Sequence, residues 1–224
     1  MNPTTQTRRT TVVRSPELAR YERETIHAII DEALLCHVGF GVEGQPYVMP
    51  TLHTRVGDRL YLHGSVSSRM LKNLKLGVPV CVTMTLIDGL VLARSAFNHT
   101  MNYRSAVILG VAHEVVDLEE KRAALDAFVN HVVSGRTADV RAADEQELKA
   151  TSVMCVPITE ASAKVRSGPP KDFEQDYALK YWAGVLPLQL IAGHPVDDPR
   201  LEFGTPVPPG VAVYRRERLR SDVD

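Results

Sequence analysis

The stretch CHVGFGVEGQPYVMPTLHTRVGDRLYLHG, residues 36–64, decides the fold. Its apolar residues form three short runs with the alternation of half-buried strands. The segments Glu43-Gly44-Gln45-Pro46 and Val56-Gly57-Asp58-Arg59 separate the runs, and their glycines favour hairpin turns. Strands joined by such short turns pair antiparallel, because a parallel crossover needs about a dozen residues or more. The stretch therefore predicts an antiparallel meander.

Further strands and one short helix follow this meander. The segment SVSSRMLKNLKLG, residues 65–77, predicts a short helix that ends at Gly77. Residues 78–97, VPVCVTMTLIDGLVLARSAF, predict a long hairpin with its turn near Asp88-Gly89. Residues 102–117, NYRSAVILGVAHEVVD, predict a long strand with a bulge at Gly110.

Helices flank the strands on both sides. Ser15 as a cap, Pro16 and Glu17 predict the start of an amphipathic helix that runs to about Leu34. A second helix is predicted in LEEKRAALDAFVNHVV, residues 118–133, and a short one near Ala143 to Ala150. Residues 152–167, SVMCVPITEASAKVRS, predict one strand, and GVLPLQLIAG, residues 184–193, contains another.

About six strands in hairpin succession with flanking helices predict a small antiparallel barrel in one domain. We expect residues 1–14 to form a flexible arm, residues 15–193 the barrel, and residues 194–224, which hold five prolines, an extended tail.

Composition excludes several classes of protein. The 224 residues are 44% hydrophobic and 24% charged, as in an ordinary globular protein. The net charge of -1 gives no field to steer nucleic acid or an anionic membrane. The N-terminus lacks the apolar stretch of a secretory signal, and Cys36, Cys81 and Cys155 stand apart in apolar runs. We therefore expect a cytoplasmic protein with free thiols and neither a nucleic-acid nor a membrane partner.

The chain carries no common catalytic or metal motif. There is no Gly-x-Ser-x-Gly elbow or P-loop, and the eight histidines are scattered. Strand pairing could bring His37, His53 and His63 together, but zinc sites normally show closer spacing, so we predict no metal site.

One segment has the chemistry of a phosphate site. In His63-Gly64-Ser65-Val66-Ser67-Ser68-Arg69-Met70-Leu71-Lys72 a strand ends in a glycine, serines follow, and two cations lie one helical turn apart. The competing interpretation is a capped surface helix with solvated Arg69 and Lys72.

The strand before it supports a ligand. Tyr47 to His53 contains Pro50, which a sheet tolerates only at an edge or where the ladder opens. Backbone groups unpaired there could bind the rim of a flat ring, with Met49 and Leu52 over its face; an ordinary edge strand is the alternative. Together the two segments indicate a phosphorylated planar cofactor.

From about Ser15 to Leu190 the chain resembles the pyridoxamine 5'-phosphate oxidase-related, FMN-binding split-barrel superfamily, and most of all its nitroimidazole-resistance-type flavoproteins. The resemblance is strongest in LYLHGS at residues 60–65, in Ser68-Arg69 to Lys72, and in YRSAVILG at residues 103–110. It implies a mainly β fold with flanking helices, a split antiparallel barrel, FMN as cofactor, and a homodimer with the flavin at the interface.

The resemblance also implies roles for particular residues. Met49, Pro50 and Thr51 would lie along the flavin ring, His63, Gly64 and Ser65 beside the ring and ribityl chain, Ser68, Arg69 and Lys72 at the phosphate, Tyr103, Arg104 and Ser105 at the partner's flavin, and Trp182 near the ring. Packing of Trp182 in the core is an equally good interpretation of that residue.

The expected activity is reduction of a small aromatic or nitro-type substrate, with His63 as either a catalytic or a structural residue. The tail lacks the arginine- and histidine-containing signature of pyridoxamine phosphate oxidases, so vitamin B6 oxidation is not expected. A non-catalytic module that binds flavin, deazaflavin or haem is the alternative function, and a barrel that binds nothing is a third.

Overall fold

Residues 6–215 are described by the computed structural model, and their strands form one antiparallel sheet whose first and last strands do not pair. The strands are β1 (Ala19–Arg20), β2 (Leu35–Val42), β3 (Gln45–Val56), β4 (Arg59–Ser65), β5 (Pro79–Leu92), β6 (Thr100–Val111), β7 (His113–Glu114), β8 (Thr151–Pro157), β9 (Ala161–Arg166) and β10 (Gly184–Pro187). Their order is β1-β9-β6-β5-β2-β3-β4-β8-β7, with β10 also paired to β5.

Five helices accompany the sheet in this part of the chain. They are α1 (Arg23–Glu32), α2 (Arg69–Leu74), α3 (Leu118–Val132), α4 (Glu145–Ala150) and α5 (Pro209–Ala212). Single 3-10 turns occur at Pro16–Leu18, Ala96–Asn98, Arg136–Asp139 and Glu174–Ala178. No helix within residues 6–215 is both long and apolar enough to span a membrane.

The sheet divides along β3. Residues Gln45 to Leu52 of β3 pair with β2, whereas His53 to Val56 pair with β4. From residue 45 to residue 52 β3 therefore has only one neighbouring strand, and β4 departs from it toward α2. This confirms the predicted antiparallel split barrel with flanking helices.

Two apolar clusters hold the elements together. Ile26, Ile29 and Ile30 recur at helical spacing on α1 and are buried against the inner face of the sheet. A smaller cluster lies between α3 and the β4–β8 pair. It contains Tyr61, Val115, Ala124, Phe128 and Val153.

The predicted helix from Ser15 is wrong in its first half. Ser15 has a left-handed backbone with φ of 55°, and its side chain caps nothing. Pro16–Leu18 form only a 3-10 turn, because the next residues, Ala19 and Arg20, pair with β9. This strand pairing prevails over the local capping signals, and the helix begins at Arg23.

The predicted turn at Asp88-Gly89 is also wrong. β5 is continuous, with a bulge between Ile87 and Gly89, because β6 pairs with both of its halves. Gly89 instead lets β10 approach, since a Cβ there would lie 3.0 Å from the carbonyl oxygen of Leu186.

Two further local predictions are wrong for reasons of packing. Gly110 is in regular register with Val80 rather than in a bulge, and a Cβ there would meet Val156 of β8 at 3.4 Å. Residues 152–167 form two strands, because β8 pairs with β4 and β9 pairs with β6 on the other side of the split. The chain thus crosses the barrel between them.

The first described residues contact the barrel. Arg9 forms an ion pair with Glu160, which follows β8, and Thr10 is buried. The predicted arm also includes residues 1–5, and the predicted tail includes residues 216–224; both lie outside the described part of the chain.

Candidate functional site

The gap between β3 and β4 is bordered by α2. The Arg69 guanidinium at the start of α2 lies 5.8 Å above the ring of Tyr47, which stacks on Phe40 of β2 at 5.6 Å. Gly64 of β4 lets α2 pack closely against that strand, because a Cβ there would lie 3.2 Å from the side chain of Leu71. The sequence therefore brings an arginine directly over the open part of β3.

Serines surround the start of α2. The Ser68 hydroxyl accepts a long hydrogen bond of 3.5 Å from the backbone N–H of Leu71. Ser65 and Ser67 share a hydrogen bond of 2.8 Å between their hydroxyls, and both side chains are exposed. The serines thus add neutral donors beside the arginine.

The cations of α2 differ from other basic residues nearby. Arg69 and Lys72 are exposed, and within residues 6–215 neither has a carboxylate partner. Lys75, one turn further along, is already paired with Glu114 at 2.6 Å. An anion beside Arg69 and Lys72 would therefore meet two positive charges that no described carboxylate neutralises.

Pro50 lies where the sequence predicted an opening in the ladder. It stands opposite His37 of β2, in the part of β3 that has only that neighbour. Met49 and Pro50 are exposed, and Thr51 is half-buried. These three residues therefore lie in the same part of β3 as Tyr47, the part that pairs with β2 alone. Arg69 lies over the ring of Tyr47.

His63 faces a different neighbour. Its ring packs against Phe128 of α3, with the ring centres 4.0 Å apart. Burial lowers the pKa of His63, and its Nδ1 has no hydrogen-bond partner among the described residues. The neutral ring thus belongs to the packing between β4 and α3.

The predicted trio on β6 is divided between the two faces of the sheet. Arg104 points inward, its side chain only 9% exposed, and binds Glu32 and Asp88 through paired hydrogen bonds. The two carboxylates raise the pKa of the guanidinium further. Tyr103 and Ser105 are half-buried on the opposite, outer face. Arg104 therefore already has two anionic partners inside its own chain.

The outer face of four neighbouring strands is uncharged. The cross-strand register of β3, β2, β5 and β6 forms two rows on this face. The first row is Val48, Gly39, Cys81 and Leu109, and the second is Pro50, His37, Thr83 and Val107. Three cross-strand pairs lie beyond these rows: Leu52 with Leu35, Thr85 with Ser105, and Ile87 with Tyr103. None of these side chains is Asp, Glu, Lys or Arg. We call this set the outer face.

The remaining predicted residues are dispersed. Trp182 is 69% exposed and lies against Gly184, so its packing in the core is wrong. His53 is buried, and its Nε2 lies 2.9 Å from the carbonyl oxygen of Ile30, whereas His37 is exposed. In the described part of the chain no group of three His, Cys, Asp or Glu side chains could hold a metal ion.

Sequence reasoning missed the cluster of Glu32, Arg104 and Asp88. Its members come from α1, β6 and the bulge of β5, and no spacing along the chain relates them. The bulge itself looked like a turn, so Asp88 was expected at a surface. An internal acid in a strand otherwise rich in apolar residues was the one available signal.

Comparisons with known proteins agree with this architecture. The sequence model described as pyridoxamine 5'-phosphate oxidase matches residues 22–165. The solved structure of flavocytochrome Anf3 from Azotobacter vinelandii has a TM-score of 0.88 and 42% identity, over 93% of this chain and 97% of that one.

Two other solved structures extend the comparison. The FAD and haem binding protein from Mycobacterium smegmatis has a TM-score of 0.84 and 38% identity, over 87% of this chain and 95% of that one. A candidate 5-nitroimidazole antibiotic resistance protein from Bacteroides thetaiotaomicron has a TM-score of 0.55 and 30% identity, over 66% and 86%. No curated protein sequence matches this chain significantly.

Proposed function

Because this chain belongs to the pyridoxamine 5'-phosphate oxidase family, we propose that it is a flavin-dependent oxidoreductase that holds the flavin phosphate beside Arg69 and Lys72. One observation carries the proposal: Arg69, an exposed cation without a described carboxylate partner, stands over Tyr47 in the half of β3 that pairs with β2 alone, and exposed Lys72 follows one helical turn later on α2. The proposed cofactor is FMN.

The chain's own residues bind and orient the cofactor. Hydrogen bonds from Arg69 to a phosphate are charge-assisted and stronger than neutral ones. The ring would lie along Met49, Pro50 and Thr51, where the backbone of β3 has groups that no second strand pairs. Ser65 and Ser68 supply hydroxyls between the two ends. A bound flavin supplies the hydride or electron transfer, which explains the lack of a conventional catalytic set.

We also propose a homodimer formed through the outer face. Depletion of charged residues distinguishes the centre of protein interfaces from the rest of a surface, and the outer face has that composition. Tyr103 and Ser105 lie on it and can approach a partner's flavin, whereas Arg104 points away. The proposed contact with the partner's site therefore comes from Tyr103 and Ser105, without Arg104.

Titration with three flavins tests the phosphate site. Riboflavin has the ring without a phosphate, FMN has one phosphate, and FAD has two with an adenosine beyond them. FMN should bind at least tenfold more tightly than riboflavin in calorimetry of the apo-protein. Equal binding of the two would contradict the role of Arg69 and Lys72. Tighter binding of FAD than of FMN would replace FMN as the cofactor and leave the phosphate site in place.

Haem binding is the second candidate function, favoured by the two relatives that cover most of the chain, since their names describe a flavocytochrome and a FAD and haem binding protein. His53 and His131 each have Nε2 at 2.9 Å from a carbonyl oxygen of the segment 30–33, and His63 packs on Phe128. Because these three histidines already have contacts within the chain, we assign none of them as a haem ligand. A Soret band in the purified protein would support this function, and a pure flavin spectrum would not.

Substrate choice can be tested with the loaded protein. After anaerobic reduction, mixing with a nitro-aromatic compound should restore the colour of the oxidised flavin. In a separate assay in air, the protein with oxidised flavin should yield no pyridoxal phosphate from pyridoxamine phosphate. The second expectation follows from charge, because a buried phosphate without cations is strongly disfavoured and the described gap offers one cation pair. Rapid pyridoxal phosphate production would contradict it.

A further inference from the structure

Two cations of β9 stand at one border of the outer face. The register of β6 and β9 pairs Ser105 with Lys164 and Tyr103 with Arg166. Residues paired across an antiparallel ladder point to the same side of the sheet, so Lys164 and Arg166 point to the side of the outer face. Ala163, the neighbour of Lys164 along β9, points the other way into the apolar core. Positive charge therefore borders a surface that is itself uncharged.

These two cations differ in what they bind. Arg166 donates a hydrogen bond to the side-chain oxygen of Asn102 in β6. Lys164 is half-buried, and within residues 6–215 its ammonium has neither a carboxylate partner nor another hydrogen-bond acceptor. An ammonium that a second protein covers needs an anion, because the burial of an unpaired charge is costly. Lys164 is thus the cation of β9 that requires a partner from outside its chain.

The outer face of a second copy cannot supply that anion through a side chain. Its residues include no Asp or Glu, so two such faces in contact bring no carboxylate toward Lys164. The anion must then belong to a bound group. In the proposed dimer that group is the flavin, and the phosphate is the one charged group of oxidised FMN.

Strand order places Lys164 on the side where that phosphate is bound. The strands run β9-β6-β5-β2-β3, and the gap bordered by α2 follows β3. The proposed approach of Tyr103 and Ser105 to the partner's flavin requires a two-fold axis that brings β6 over the partner's β3. Such an axis exchanges the two sides of the β5–β2 pair, because a two-fold interface is the same for both copies. It therefore brings β9, the strand beyond β6, over the gap beyond the partner's β3.

We propose that Lys164 of each protomer binds the flavin phosphate that Arg69 and Lys72 of the other protomer hold. The inference rests on the proposed flavin site and homodimer, and it adds to that site a residue that its own chain does not provide. The phosphate is then held by cations of both copies, and neither copy alone has the complete set. FMN should therefore strengthen the dimer, since a ligand stabilises the state that binds it more tightly.

A pair of half-buried lysines tests the contact with phosphate. Lys164→Gln keeps the aliphatic stem and removes the charge. It should weaken FMN binding about fivefold or more, because an ammonium–phosphate contact is charge-assisted, and should leave riboflavin binding unchanged. Lys121 of α3 is also half-buried and without a carboxylate partner in the described structure, but it lies away from the outer face. Lys121→Gln should change FMN affinity by less than about twofold.

Calorimetry of each apo-protein with FMN and with riboflavin measures these differences. An equal loss of affinity for the two flavins in Lys164→Gln would mean that Lys164 acts on the ring or on the interface, which would overturn the proposal. Equal FMN affinities of Lys164→Gln and Lys121→Gln would overturn it as well.

Mixed dimers test whether the contact crosses the interface. One copy carries Arg69→Ala and the other Lys164→Gln, and two different affinity tags isolate the mixed dimer after co-expression. If Lys164 serves the partner's site, both substitutions fall in one site, the other site keeps its natural residues, and half of the sites bind FMN with natural affinity. If Lys164 serves its own chain, every site has one substitution and none binds with natural affinity. The second result would overturn the proposal.

The homodimer with Arg69→Ala in both copies separates this inference from the function on which it rests. Natural FMN affinity in that variant would contradict the proposed phosphate site and, with it, the role of Lys164. Weakened binding in Arg69→Ala together with natural binding in Lys164→Gln would overturn the role of Lys164 alone. Weakened binding in both, with half of the sites restored in the mixed dimer, is the expected result.

Discussion

Arg69 and Arg104 were both predicted to contact the flavin, yet their surroundings are opposite. Arg104 is buried between two carboxylates, whereas Arg69 is exposed over Tyr47 with no carboxylate partner among the described residues. A buried guanidinium needs its partners within the fold, because desolvation of an unpaired charge is costly. An exposed guanidinium without a partner can give its hydrogen bonds to a ligand. The comparison separates a structural arginine from a binding one.

Arg104→Ala should have the largest effect on stability. It removes the buried Arg104 from the largely buried carboxylates of Glu32 and Asp88, and removal of one partner from a buried ion pair costs about 3–5 kcal/mol. Arg69→Ala should change the free energy of unfolding by less than about 0.5 kcal/mol, because its side chain is exposed. Urea denaturation of both variants measures the difference. Equal losses would break the distinction between the two arginines.

Leu35→Asp should weaken the proposed homodimer by about a hundredfold or more. In a two-fold interface the substitution buries two carboxylates without partners, and each such charge costs several kcal/mol. Val56→Asp is the control, because Val56 is similarly exposed, at 49% against 45%, but pairs only with β4 and lies off the outer face. Light scattering on dilution follows dissociation. A dimer that tolerates Leu35→Asp as well as Val56→Asp would exclude the outer face as the interface.

Arg69→Ala should weaken FMN binding by about tenfold or more, since a hydrogen bond to a charged group contributes about 1.5–3 kcal/mol. Lys72→Ala should have a smaller effect, because an ammonium lacks the planar fork of Arg69. Arg59→Ala is the matched control: Arg59 is also exposed, but it pairs with Glu120. Calorimetric titration of each apo-protein measures the change. The phosphate assignment fails if Arg69→Ala and Arg59→Ala bind FMN with the same affinity.

The parts of the fold that depend on local pattern were predictable from sequence. Hairpin turns at Gly44 and Gly57 lie where glycine adopts positive φ, and α3 has the expected apolar spacing. The position of Pro50 was predictable because a missing N–H limits proline to places where the ladder is open. These features follow from properties of single residues or short windows.

Other features depend on partners distant in the chain. Residues 88 and 89 look like a turn, but β6 and β10 hold them in a strand. For the same reason the sequence could assign Arg104 to the site by resemblance but could not reveal Glu32 and Asp88 beside it. Strand alternation would have separated Arg104 from Tyr103 and Ser105, because neighbours in a strand face opposite ways.

A change at His63 should have the smallest effect of those considered. Like the comparison of Arg69 with Arg104, it tests whether burial decides the role of a side chain, here one whose neutral form burial favours. Burial lowers its pKa in the folded protein, whereas the unfolded chain keeps the ordinary value of about 6.5. Above that value the residue is neutral in both states and contributes no pH dependence. As the pH falls below it, the unfolded chain takes up a proton first, so the free energy of unfolding decreases until the pH passes the lower folded pKa.

The variant His63→Phe keeps an aromatic ring against Phe128 and removes the titration. Its stability should therefore fall less than that of the natural protein between about pH 7 and pH 5. Denaturation curves at several pH values measure these slopes.

If His63→Phe has the slope of the natural protein, the folded environment does not favour the neutral ring, and His63 is then accessible to protons as a catalytic residue would be. If the slope falls and reoxidation of the reduced flavin by a nitro-aromatic compound is unchanged, His63 acts through packing alone.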